Sequence, residues 1–148
     1  MRPNRKVWML LDDDRSLLEI VSTLADLWDK DTILLHSGGD AMAWVEAFKA
    51  GSIEGPIPEL ALLDVRLPGG PQGDDIAREL RRTSGLHVMA IVMMTANALD
   101  SAQEAHLLEQ TGADGCVGKP FPPLDDLKKR LDQAINRRAD TLYRAARG

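Results

Sequence analysis

The chain has a single cysteine, Cys116, among its 148 residues, so it can form neither an internal disulfide nor a cysteine-based zinc cluster, and a reducing, cytoplasmic compartment is expected. It lacks a long hydrophobic run. After the basic stretch Met1, Arg2, Pro3, Asn4, Arg5, Lys6 only five apolar residues precede a block of aspartates, too few for a signal-peptide core or a membrane span. An excess of positive charge is also missing: the net charge of −5 argues against a direct nucleic-acid binder, whose footprint is a basic face. Aromatic residues make up only 4% of the chain. Of these, Tyr143 alone accompanies the basic residues of the C-terminal stretch (Lys128, Lys129, Arg130, Arg137, Arg138, Arg144, Arg147), which therefore reads as a solvated helix face, not a nucleic-acid or membrane patch. There is no internal repeat and no low-complexity segment.

What is present is an alternation of short apolar runs with amphipathic segments. An apolar fraction of 44% and a charged fraction of 28% are ordinary for a globular protein. The length suits one domain with a sizeable core, about residues 6–136, followed by an extended last helix or tail over 137–148. Lys6 to Leu11 forms the first run; Leu17, Leu18, Val21, Leu24, Ala25 and Trp28 then recur at helical spacing, with Ser16 and Glu19 placed as a capping box. The second run, Thr32 to Leu35, precedes a helix over about Asp40 to Lys49, with Gly38 and Gly39 before it and Gly51 after it. A Gly- and Pro-rich loop follows, and Leu60 to Leu63 is the third run. That run leads through Pro68, Gly69, Gly70, Pro71 and Gly73 to a helix over about Asp74 to Thr83. The fourth run, Val88 to Met94, precedes a helix from Ser101 to Gln110; Cys116 to Gly118 precedes a last helix that begins near Pro123.

Five strand–helix pairs in strict order imply an α/β doubly wound, five-stranded parallel sheet of flavodoxin-like order 2-1-3-4-5 with helices on both faces, because parallel neighbours need right-handed crossovers. Uniformly apolar strands fit a sheet buried on both sides. Ligands of such sheets bind beyond the carboxyl ends of the strands. At those ends stand Asp12, Asp13 and Asp14 after the first run, Asp64 after the third, Thr95 after the fourth and Lys119 with Pro120 and Phe121 after the last. Carboxylates are the ligands that Mg²⁺ prefers, and the ion keeps open positions for a phosphoryl oxygen. Thr95 and Lys119 supply a hydroxyl and an ammonium for the equatorial oxygens of a phosphoryl in transfer, and Asp64 stands alone as the candidate nucleophile. An aspartate run can cap a helix, a threonine can end a strand and a Lys-Pro step can make a turn. Four such features in this order, each at a strand end, outweigh that reading.

The motifs Leu11-Asp12-Asp13-Asp14, Leu62-Leu63-Asp64-Val65-Arg66-Leu67-Pro68, Met93-Met94-Thr95-Ala96, Gly112-Ala113-Asp114-Gly115 and Val117-Gly118-Lys119-Pro120-Phe121 resemble those of receiver domains of two-component response regulators, the CheY-like family, over about Val7 to Ile135. The resemblance implies that Asp64 accepts a phosphoryl group from a phosphohistidine of a histidine kinase or histidine phosphotransferase. It implies Mg²⁺ held by Asp12, Asp13, Asp64 and the Arg66 backbone carbonyl, phosphoryl sensing by Thr95 and Lys119, and a cis peptide before Pro120. It also implies that the domain is a signalling module and not an enzyme in its own right, acting on a downstream protein that the sequence does not name.

Two departures stand out. The segment from Gly69 to Gln72 is one residue longer than the family's usual loop, and Cys116 stands where the family has an aromatic switch residue. Cys116 is too small to swing as a ring does, so the switch is expected to run through Thr95 and the segment Ala96, Asn97, Ala98. Arg66 and Asn97, two positions past Asp64 and Thr95, are expected to overhang the pocket and set the lifetime of the aspartyl phosphate. No output domain is expected after the last helix, and Leu131, Ile135 and Leu142 mark a possible homodimer surface. Asp12-x-Asp14 also resembles the motif of haloacid-dehalogenase-type phosphatases, with Asp12 as nucleophile and Asp14 as general acid, but this leaves Asp64 without a role. A dinucleotide or flavin site would need a Gly-rich loop where the aspartates stand, and a docking module that no longer signals would not need Asp64, Thr95 and Lys119 together.

Overall fold

The structure, a computed structural model, describes residues 4–148; Met1, Arg2 and Pro3 of the basic N-terminus lie outside the described residues. Elements alternate as β1 (Lys6–Leu11), α1 (Arg15–Leu27), β2 (Lys30–Leu35), α2 (Gly38–Lys49), β3 (Leu60–Asp64), α3 (Gly73–Arg82), β4 (Ala90–Thr95), α4 (Ser101–Thr111), β5 (Gly115–Gly118) and α5 (Leu124–Arg147). The five strands form one parallel sheet in the order β2-β1-β3-β4-β5, with Trp8 beside Leu60, Leu60 beside Ala90 and Val92 beside Gly115.

Strand side chains alternate between faces, which splits the core in two. Trp8, Leu10, Leu60, Leu62, Val92 and Met94 pack against α1 and α5; Met9, Leu11, Ala61, Leu63, Ile91 and Met93 pack against α2 and α3. Because both sets are apolar, either face is covered, and a one-residue slip in register would break the pairing of strand ends on which the polar groups sit.

Several helix starts differ from the sequence expectation for reasons of capping. α1 is capped by Asp14, whose carboxylate accepts the Leu17 N–H at 3.1 Å, and not by a Ser16–Glu19 box; Ser16 lies in the first turn. Of three successive aspartates, the last is the one with extended backbone directly before the helix, so it takes the cap. α2 is capped by Ser37, which accepts the Asp40 N–H at 3.0 Å, so Gly38 and Gly39 belong to the first turn. β2 starts two residues before Thr32, paired with β1 from Lys30. β4 starts two residues after Val88, which is 40% exposed in the turn that follows α3. α5 runs unbroken to Arg147, so the C-terminal stretch is helix and not a frayed tail. Its Leu131 is fully buried against β4 and β5 and Ile135 packs on the same cluster, so these two residues belong to the core and not to a dimer surface; helical spacing tells which residues share a stripe, but not what the stripe faces.

A buried polar knot fixes the opposite end of the sheet from the aspartates. Arg81 of α3 donates to the carbonyls of Gly112, His87 and Met89 at 2.8, 3.0 and 2.6 Å and to Asp114 Oδ2 at 2.7 Å. Asp114 also accepts the Ile91 N–H at 2.8 Å, and Arg138 of α5 donates to the His87 carbonyl. Burial pushes the Asp114 carboxyl up and the Arg81 guanidinium down from their ordinary values, with the Ile91 N–H and the opposite charges countering on each side.

Candidate functional site

Asp12, Asp13, Asp64, Thr95 and Lys119 sit at the carboxyl edge of the sheet, because each ends or closely follows a strand, whereas Cys116 lies inside β5. Asp12 leaves β1 with its N–H donated to the Leu35 carbonyl at 3.2 Å, and its Oδ1 accepts the Asp14 N–H at 2.9 Å. That turn holds the Asp12 carboxylate inside while the next residue, Asp13, is exposed. Asp64 is the last residue of β3 and is buried. Its Oδ1 accepts the Arg66 N–H at 3.3 Å, and its Oδ2 accepts Lys119 Nζ at 3.1 Å. Lys119 also donates to Asp12 Oδ2 at 3.0 Å, so one ammonium bridges two buried carboxylates that come from chain positions more than fifty residues apart.

Asp12, Asp13 and Asp64 each offer one carboxylate oxygen, and the three oxygens lie within 4.8 Å of one another. An all-oxygen, anionic donor set of this kind fits a hard divalent cation. Burial pushes the Asp64 carboxyl above the ordinary aspartate value; the Lys119 hydrogen bond pulls it down, and the Asp12 charge adds to the rise. Burial alone would lower the Lys119 ammonium, yet its pKa is raised, since the hydrogen bonds and charges of Asp12 and Asp64 outweigh desolvation. The pocket thus holds more negative charge than one lysine offsets.

Thr95 ends β4, with its Oγ1 donating to the Asn97 carbonyl at 2.8 Å. The backbone of the pocket is continuous across the strands: Val65 N–H donates to the Met94 carbonyl and Lys119 N–H to the Thr95 carbonyl, at 3.0 and 2.8 Å. The Lys119–Pro120 peptide is cis. Cys116 is half-buried on β5, and burial followed by the Glu104 charge pushes its thiol up, so it stays a neutral thiol. Together with Thr95, Ala98 and Arg130 it lines a groove of about 310 Å³. Arg66 and Asn97 face a wider cleft of about 600 Å³ between α3 and α4, whose lining also includes Val65, Ala96, Gln103 and Leu107. Asp14 Oδ1 caps α1, a structural role that accounts for this carboxylate without the phosphatase-like reading.

The site residue that sequence reasoning passed over is Gln72. Its side chain bonds the backbone of the loop after Asp64, and the only trace of it in the sequence is an amide placed three residues before Asp75, the two acting as a capping pair for α3.

Comparison with known proteins agrees with this geometry. The family described as response regulator receiver domain matches residues 9–132. This chain belongs to the response regulator receiver family. The receiver is similar to the DNA-binding response regulator MtrA of Mycolicibacterium smegmatis, 35% identical over 132 residues that cover 89% of this chain and 51% of MtrA. It is also similar to the transcriptional regulatory protein CpxR of Klebsiella pneumoniae, 32% identical over 113 residues, or 76% of this chain and 42% of CpxR. The receiver spans about half the length of the curated relatives it matches. Among solved structures it resembles a putative response regulator of Chloroflexus aurantiacus, with a TM-score of 0.73 at 22% identity over 90% of this chain and 99% of the other. It also resembles the receiver domain of the sensor histidine kinase PA1611 of Pseudomonas aeruginosa, with a TM-score of 0.70 at 22% identity over 89% and 98%. The latter structure carries a magnesium ion coordinated in its active-site cleft. Among the described residues of this chain no helix is long and apolar enough to cross a membrane.

Proposed function

We propose that this receiver takes a phosphoryl group from a phosphohistidine onto Asp64 and thereby changes a protein-binding surface. The observation that carries the reading is the Lys119 ammonium bridging Asp12 and Asp64, with Asp13 close enough to complete a three-carboxylate cation site. Asp64 attacks the phosphorus; the new P–O bond forms as the P–N bond breaks, and the electron pair leaves with the imidazole nitrogen, which returns to neutral histidine. Asp12, Asp13 and Asp64, with the Arg66 backbone carbonyl, would hold magnesium. When bound, that ion neutralises the charge that the carboxylates and the incoming phosphoryl would otherwise set against one another. Lys119 holds the phosphoacceptor carboxylate in place and then pairs with the phosphoryl oxygens. Thr95 gives up the Asn97 carbonyl to donate its hydroxyl to the phosphoryl, which draws in the Ala96–Asn97 segment and re-aims α4, a local change that biases a two-state element.

The donor is a histidine kinase or histidine phosphotransferase, and the receiver is a partner in signalling and not an independent enzyme. A chain with a single cysteine and a phosphohistidine donor fits a protein that acts in the cytoplasm. MtrA is named as DNA-binding, but the match to it covers only about half of its length, so the partner we assign to these residues is a protein. Incubation with phosphoramidate and magnesium, followed by mass spectrometry, is expected to add one phosphoryl group to the wild-type chain and none to Asp64→Asn. Uptake that persists in Asp64→Asn and vanishes in Asp12→Asn overturns the assignment.

A further inference from the structure

We propose that the Gln72 side chain is a positioning residue that aims the Arg66 backbone carbonyl at the magnesium site, by bonding both backbone groups of Leu67. The inference rests on the reading that Asp64 works with magnesium. The loop from Val65 to Gln72 has little of its own to hold it: Gly69 and Gly70 follow one another with φ of 60° and 55°, and nothing lies within 4 Å of the position a Cβ would take at either. Consecutive glycines lose the most backbone freedom on ordering, so a loop of this kind keeps one shape only if other contacts fix it.

Gln72 provides them. Its Oε1 accepts the Leu67 N–H at 2.9 Å, and its Nε2 donates to the Leu67 carbonyl at 2.8 Å and to the Gly70 carbonyl at 3.3 Å. The Leu67 N–H belongs to the same planar, trans peptide unit as the Arg66 carbonyl, so the two point in opposite directions. Fixing the N–H on Gln72 therefore fixes the Arg66 carbonyl away from Gln72. The other side of Arg66 is held as well, since its own N–H donates to Asp64 Oδ1. A residue whose two flanking peptide planes are both pinned cannot rotate its carbonyl without breaking a hydrogen bond.

Gln72 is anchored in turn. It is the N-cap of α3, and its N–H donates to Asp75 Oδ2 at 2.9 Å. Next to it, Gly73 lies so close to the phosphoacceptor that a Cβ there would stand 1.7 Å from the Asp64 carbonyl oxygen. On the far side, a Cβ on Gly38 would stand 1.8 Å from the Pro71 carbonyl oxygen, so the loop is wedged between the start of α2 and the end of β3. The loop bends at Gly69 and Gly70, while both ends stay locked. A neutral amide is what the arrangement needs, because it joins an acceptor for Leu67 N–H with a donor for the two carbonyls.

The test is a magnesium titration followed by the amide NMR shifts of Asp13 and Arg66, with hydrogen exchange at the Leu67 amide as the companion measurement. Gln72→Met, which keeps the length and loses the polar atoms, is expected to weaken magnesium binding about tenfold, the lower range for removal of an outer-shell partner, and to speed Leu67 exchange. Gln72→Glu keeps the acceptor and is expected to retain Leu67 protection and to bind magnesium at least as tightly as Gln72→Met. Wild-type magnesium binding matched by a folded Gln72→Met overturns the inference alone. No magnesium binding by the wild-type protein overturns the metal reading and the inference with it. If Gln72→Met fails to fold, the wild-type protein still decides: a Leu67 amide that exchanges as fast as those of Gly69 and Gly70 overturns the clasp.

Discussion

Removing the ammonium of Lys119 isolates the electrostatics of the pocket. In Lys119→Met the side chain keeps its reach but leaves two carboxylates, one 1% and the other 7% exposed, without the cation that stands 3.0 and 3.1 Å from them. With an effective dielectric of about 20, each of those contacts is worth about 5 kcal/mol of Coulomb attraction, and the repulsion left between two carboxylates at most 4.8 Å apart is at least about 3.5 kcal/mol. Water entry and proton uptake recover part of this. Loss of one partner of a buried pair costs about 3–5 kcal/mol, and because Lys119 itself is 24% exposed we expect the lower end, about 3 kcal/mol. The assay is urea unfolding followed by tryptophan fluorescence, with an unchanged m-value as the check on two-state behaviour. The variant also has a pH signature. Without the lysine the folded-state pKa of Asp64, already raised by burial, rises further above its unfolded value. The folded state then binds more protons than the unfolded one in that window, so stability falls as pH rises through it, and the penalty shrinks as pH drops. Adding Asp64→Asn should restore most of the loss. A loss below about 0.5 kcal/mol at pH 8, or no recovery in the double variant, refutes the argument.

Arg81→Met should lower stability by about 3 kcal/mol, because it takes the guanidinium from the Asp114 carboxylate and the Met89 carbonyl and leaves the His87 carbonyl to Arg138 alone; thermal unfolding checks it, and an unchanged midpoint would mean that the knot is decorative. Phosphoryl uptake by Asp64 needs the ionised carboxylate, and burial has raised its pKa, so uptake from phosphoramidate, corrected for titration of the donor, should begin to fall at a pH above the ordinary aspartate value of about 4. A rate that stays flat down to pH 4 counts against it.

Strand ends were legible because a charged or hydroxyl residue after an apolar run has few other places to go: Asp12, Asp64, Thr95 and Lys119 are all where that rule puts them. Helix starts were less so. Three adjacent aspartates offer three possible caps, and only backbone geometry selects Asp14. Leu131 and Ile135 face the sheet, which their spacing does not reveal, because periodicity is the same for a stripe that faces the sheet and one that faces solvent. Gln72 was invisible for a different reason: its partners are backbone atoms, which every residue has, so no pattern of side chains announces them.

The arginine knot at the base of the sheet has a geometric consequence for α4. Arg81 grips the carbonyl of Gly112, the left-handed residue that closes α4, and a Cβ on Gly112 would stand 3.0 Å from Arg81 Cγ, so the C-terminal end of α4 is fastened to α3 and β4. Its N-terminal end follows the loop that leaves Thr95 and has no such fastening to Arg81. A rod fixed at one end can only swing. With 11 residues at 1.5 Å each, α4 is a lever of about 16 Å, so a tilt of about 10° carries its free end about 3 Å, the width of one hydrogen bond. Because the loop from Thr95 enters at that free end, a shift of the loop is passed on as a tilt of α4 about Gly112 and leaves the end held by Arg81 in place.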